Sequence, residues 1–132
     1  MSVEHINPEG MHKSAVFSQG IVIPAGCRLL LIGGQNGVDE QGMVVARGDI
    51  AAQAEKALEN MVKVLQAAGA GIGDLVSTSI YIREGQDIRP AFEAWMRVWG
   101  ERTNPPVVKA INVAGFPNPD VLIEIEAQAV FK

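Results

Sequence analysis

The sequence is short of most groups that carry chemistry. Its single cysteine, Cys27, excludes an internal disulfide and suits a reducing compartment. The two histidines, His5 and His12, lie near the N-terminus, and Cys27 has no histidine at a readable distance, so no metal site is expected. Aromatic residues supply only 5% of the chain, and the 48% hydrophobic content rests on alanine, valine and isoleucine instead. No apolar run approaches the ~20 residues of a membrane span. The first ten residues carry Glu4, His5, Pro8 and Glu9 and lack the apolar core of a secretion signal. Lysine and arginine number 11 against 15 acidic residues, for a net charge of −4, and the basic residues stand singly. Without a run of positive charge to neutralise phosphates, nucleic-acid binding is not expected. Neither a glycine-rich phosphate loop nor a Gly-x-Ser-x-Gly elbow occurs. A soluble, cytoplasmic protein is the expectation.

What is present fits one domain over residues 1–132, with 1–13 as a loosely ordered N-terminal segment. Mean hydropathy is +0.15, too apolar for a disordered chain. A domain of this size buries only ~65–70% of its unfolded surface. The surplus apolar surface points to a contact between subunits.

Local patterns give an order of elements. A strand is predicted over Ala15–Ile23, and a nearly all-apolar one over Arg28–Ile32, whose two faces should both be covered. Gly33-Gly34-Gln35-Asn36-Gly37 follows. Asp39-Glu40-Gln41-Gly42 reads as a turn, with a short third strand over Met43–Ala46. Ile50, Ala54, Ala57, Leu58, Met61, Val64, Leu65 and Ala68 keep helical spacing, bounded by Asp49 as cap and Gly69 as stop. Glu59 and Lys63 can pair on the solvent side. Leu75–Ile82 is β-branched and extended. Asp87 can cap a second helix with Pro90 in its first turn and Phe92, Trp95, Met96 and Trp99 on its inner face. Asn104-Pro105-Pro106 stops it. Strands over Val107–Ala114 and Val121–Val130 close the chain. The order β-β-β-α-β-α-β-β predicts an α+β fold with both helices on one face of a mixed sheet.

On the last strand, Ile123, Ile125, Ala127 and Ala129 share the helix face, while Glu124, Glu126 and Gln128 share the other. That second face meets either water or another subunit. Glu124 and Glu126 stand roughly 7 Å apart by strand rise. Two solvated carboxylates are the plain reading; a carboxylate enclosed at an interface would instead serve as a general base. Gly33-Gly34 either supports strand twist or lets backbone amides approach a ligand. Arg47, Arg83, Arg89 and Lys109 are the cations nearest the candidate loops.

Gly34-Gln35, Asp49-Ile50-Ala51-Ala52-Gln53-Ala54, Leu58-Glu59-Asn60, Ala67-Ala68-Gly69, Gly73-Asp74-Leu75-Val76, Phe92-Glu93-Ala94-Trp95 and Ile123-Glu124-Ile125-Glu126-Ala127 together resemble the Rid family. These are the reactive intermediate deaminases, also called YjgF-like or L-PSP endoribonuclease-like proteins. The resemblance covers nearly the whole chain from about Ala15. It implies a chorismate-mutase-like fold assembled as a homotrimer, with clefts between neighbouring subunits. There, enamines or imines are hydrolysed to carbonyl compounds and ammonia without cofactor or metal. Carried onto this chain, Glu124 places the attacking water, Gly33 and Gly34 offer backbone groups to the substrate, and Phe17 forms an aromatic wall. The segment that in the family begins with a carboxylate-binding arginine falls on Val108-Lys109-Ala110. Val108 stands where the arginine belongs, and Lys109 points to the opposite face. The resemblance therefore leaves three options: another cation such as Arg89 takes a carboxylate substrate, the substrate has no carboxylate, or the protein binds a small metabolite without turning it over. An endoribonuclease activity is disfavoured by the acidic composition.

Overall fold

A computed structural model describes residues 3–132. Six strands and two helices follow one another as β1 (Glu4–Ile6), β2 (Gly20–Val22), β3 (Arg28–Asn36), α1 (Ile50–Ala67), β4 (Leu75–Arg83), α2 (Arg89–Trp99), β5 (Val107–Val113) and β6 (Ile123–Phe131), with a 3-10 turn at Ile72–Asp74. The α+β class and the mixed sheet are as the sequence predicts. The main sheet runs β3-β6-β4-β5, with β4 and β5 parallel and the other pairs antiparallel. β1 and β2 form a separate antiparallel ribbon.

The element string matches the expected one, but through two differences that offset each other. Met43–Ala46 contributes only an isolated bridge, Val38 to Val44. Gly42, Ala46 and Gly48 have φ of +77°, +49° and +78°, so left-handed residues bound the segment before it can extend. The missing strand is replaced by β1 at the N-terminus, which pairs Glu4 with Val22 and Ile6 with Gly20. The strand predicted over Ala15–Ile23 shrinks to Gly20–Val22, because the preceding residues spend their hydrogen bonds elsewhere. Ser18 Oγ donates to the Pro105 carbonyl at 2.6 Å and its amide to that of Pro106 at 3.0 Å. The Gln19 amide donates to Asn7.

α1 is the best-determined element from pattern alone. Asp49 accepts the Ala52 amide at 3.1 Å as N-cap, and Gly69, with φ of +81°, ends the helix. Its buried stripe is Ile50, Gln53, Ala54, Ala57, Leu58, Met61 and Leu65. Lys63 and Lys56 both approach Glu59 on the solvent side, at 3.5 and 3.3 Å. At α2 the Asp87 carboxylate accepts the Arg89 amide at 3.0 Å, while Ile88 occupies the cap position itself. Trp95 and Trp99 stack in the core at 5.6 Å, whereas Phe92 is 45% exposed and sits at the rim rather than inside.

Both helices cover one face of the sheet. Ile32, Ile82, Ile123, Ile125, Ala127 and Ala129 pack against α1 and α2 there. The opposite face is open and carries Glu124, Glu126 and Gln128 from β6, alternating as the sequence predicts. Leu29 and Leu31 on β3 are 56% and 66% exposed on that side, so the second face of this apolar strand is not covered by its own chain.

Candidate active site

The open face is ordered in rows across the strands. Glu124 lies between Asn36 on β3 and Tyr81 on β4. Glu126 lies beside Ser79, which in turn faces Lys109 on β5. Tyr81 donates its hydroxyl to Glu126 at 2.6 Å. That bond holds the proton on the phenol and raises its pKa, with burial and the Glu126 charge adding to the effect. Glu126 is thereby engaged, and Glu124 is the carboxylate left for other work on this face.

Glu124 is shaped by its neighbour. The β3–β6 ladder slips between Ile32 and Gln35, so Gly33 and Gly34 together face one residue of β6. A β-carbon added at Gly34 would stand 2.6 Å from the Glu124 carboxyl group. Glycine at 34 is what lets the carboxylate lie over the bulge. Two polar side chains of α1 hold this region from behind. Asn60 donates to the carbonyls of Asn36 and Val38 at 3.3 and 3.0 Å, fixing the end of β3. Gln53 is fully buried. It accepts the Leu122 amide at 2.9 Å and donates to the carbonyls of Asp120 and Ala46. It thus fixes the entry of β6 just ahead of Glu124.

The other candidates gather on the helix side. Val108 pairs with buried Thr78 and so faces α2; Ala110 follows with the same orientation, and Lys109 points to the open face. Phe17 and Val108 line one apolar hollow of about 60 Å³ with Ile88, Phe92 and Trp95. Ser18 builds this contact, since its bonds to Pro105 and Pro106 tie the Phe17 segment to the start of β5. Because the Ser18 proton goes to a carbonyl, the His5 Nδ1 at 2.8 Å must donate to Ser18 Oγ. The roles of Ser18, His5, Asn60 and Gln53 have no periodic signal in the sequence.

Arg89 does not reach either cluster as a free cation. Both Asp87 oxygens hold its guanidinium, at 2.7 to 3.1 Å, and this fork in turn holds the Asp87 carboxyl below its usual range. A single copy therefore brings together Gly33, Gly34 and Glu124 on one face and Phe17, Val108 and Ala110 on the other. It does not join the two groups. A larger open depression, about 620 Å³ beside His5, Cys27, Asp74 and Arg102, contains none of these residues. Among the described residues no cluster of three potential metal ligands occurs, and no helix is long and apolar enough to cross a membrane.

Comparison with known proteins decides the family. Residues 9–131 match the family described as endoribonuclease L-PSP. The chain belongs to that family. A RutC family protein of Pyrococcus horikoshii is 36% identical over 100 residues, spanning 76% of this chain and 77% of the relative. A 2-iminobutanoate/2-iminopropanoate deaminase of Salmonella typhimurium is 34% identical over 103 residues, spanning 77% and 79%. Among solved structures, a Rid family protein of unknown function from Yersinia pestis superposes with a TM-score of 0.84 at 32% identity, covering 98% of both chains. The Rid-like resemblance in the sequence is thus borne out, together with the L-PSP fold.

Proposed function

We propose that this L-PSP family protein is an imine or enamine deaminase that works at clefts between the subunits of a homotrimer. The observation that carries the proposal is Glu124, a carboxylate seated over the Gly33-Gly34 bulge on a sheet face that its own chain leaves open. A relative named as a 2-iminobutanoate/2-iminopropanoate deaminase supports the reaction class. The split of the candidates between two faces supports the cleft. A second copy can set its Phe17 and Val108 wall against the Glu124 wall of the first.

The chemistry balances with water alone. Glu124 accepts a proton from water as the oxygen adds to the imine carbon, and the C=N π pair moves onto nitrogen, which is protonated to give a carbinolamine. The C–N bond then breaks, the hydroxyl proton leaves, and a carbonyl compound and ammonia depart. No electron is transferred, so the reaction calls for no redox cofactor. Gly33 and Gly34 offer backbone groups to the substrate, and Phe17 supplies the wall. The substrate is not of the 2-aminoacrylate type, because Val108 offers no partner to a carboxylate. We place the protein in the cytoplasm, which a chain with one cysteine suits.

The apolar, uncharged hollow at Val108 also favours a second reading, a trimer that binds a small metabolite without turning it over. Imine decay followed by trapping, with calorimetry on the same compounds, separates the two. Accelerated decay is expected; tight binding with no ammonia released would establish the binder instead. Ribonuclease action finds no support in a net charge of −4.

A further inference from the structure

The hollow at Phe17 and Val108 has a chemical character of its own. Thr78 is the one polar aliphatic residue that lines it, and none of its lining residues carries a charge. Val108, Ile88 and Phe92 are 36%, 38% and 45% exposed, so the hollow opens to the surface at these three side chains. Ile88 lies on the rim, and the next residue, Arg89, turns away into its fork with Asp87, its side chain 84% exposed. A carboxylate brought against Val108 would lose its water and gain no cation. An alkyl group there would lose water favourably.

Resting on the deaminase reading above, we infer that this hollow is the specificity pocket of the site and takes the branched alkyl substituent of a neutral imine, one derived from an amine rather than from an amino acid. Its volume of about 60 Å³, at ~10–15 Å³ for each water-sized occupant, holds on the order of four to six heavy atoms. An isobutyl group fits that space. A reaction that feeds such a site must be the two-electron oxidation of a primary amine to its imine. Here the added water oxygen becomes the oxygen of an aldehyde, R–CH=NH plus water giving R–CHO plus ammonia.

The test uses a matched pair of imines made in situ. A flavin amine oxidase acting on isoamylamine gives the neutral imine, and an L-amino-acid oxidase acting on leucine gives the same isobutyl group with a carboxylate. Decay of each is followed by competition with semicarbazide, with and without the full-length protein. The expected result is at least tenfold greater acceleration for the neutral imine, and a reversed preference in Val108→Arg. Equal or greater acceleration of the leucine-derived imine by the unaltered protein would overturn the pocket assignment and leave the deaminase reading standing. Acceleration of neither would overturn both.

Discussion

Gly34 and Glu124 form the smallest unit whose chemistry can be tested apart from the fold. Alanine at 34 places its β-carbon 2.6 Å from the end of a flexible side chain, not from backbone, so the carboxylate swings aside and the sheet stays. Gly34→Ala is expected to keep its unfolding temperature within a few degrees and to lose imine hydrolysis by tenfold or more. Loss of folding by circular dichroism would contradict this. Tyr81 gives a second residue-scale prediction. Its pKa is raised above the ordinary 10.0 by the bond to Glu126. The stabilising contribution is therefore complete below pH 10 and is lost as pH rises through the raised value. Unfolding curves between pH 8 and 11.5 should show stability falling above pH 10, and Tyr81→Phe should remove that part of the slope.

Elements were legible in the sequence to the degree that their pattern is local. The 3-and-4 spacing of α1 and the alternation of β6 are each written in consecutive residues, and both appear as predicted. So does the opposite orientation of Val108 and Lys109, which needs only the two-residue period of a strand. β1 was not legible, because three residues earn strand geometry only by pairing with Gly20–Val22 far along the chain. Gln53 and Ser18 were hidden for a related reason. Their partners are carbonyls, an amide and the His5 imidazole, 7 to 88 residues away, and a buried polar side chain gives no periodic signal. Gln53→Leu keeps the helix pattern but orphans the Leu122 amide and the Asp120 carbonyl, at about 1–3 kcal/mol for each group left unpaired, while the Ala46 carbonyl keeps the Asp49 amide. The unfolding temperature is expected to fall by on the order of 10 °C. An unchanged midpoint would show that Gln53 does not fix the entry of β6.

At the scale of the whole molecule, the apolar surplus in the composition has a place. Val22, Ile23, Leu29 and Leu31 are about half or more exposed on one copy, and Val108 and Ile111 more than a third. Leu29 and Leu31 border the open face that carries Glu124, so the surface that would hold subunits together also frames the site. Light scattering at micromolar concentration should give about three times 14.1 kDa. Leu31→Glu puts a charge in the proposed contact and should yield folded monomer without activity. A monomeric wild-type protein would rule out a cleft shared between subunits.

Imine hydrolysis by Glu124→Gln beside the unaltered protein tests directly whether Glu124 takes the proton from the attacking water. Glutamine keeps the size of the side chain but accepts no proton from water. Intact assembly and a loss of at least a hundredfold in the acceleration of imine decay are expected. Undiminished turnover in Glu124→Gln would contradict that role.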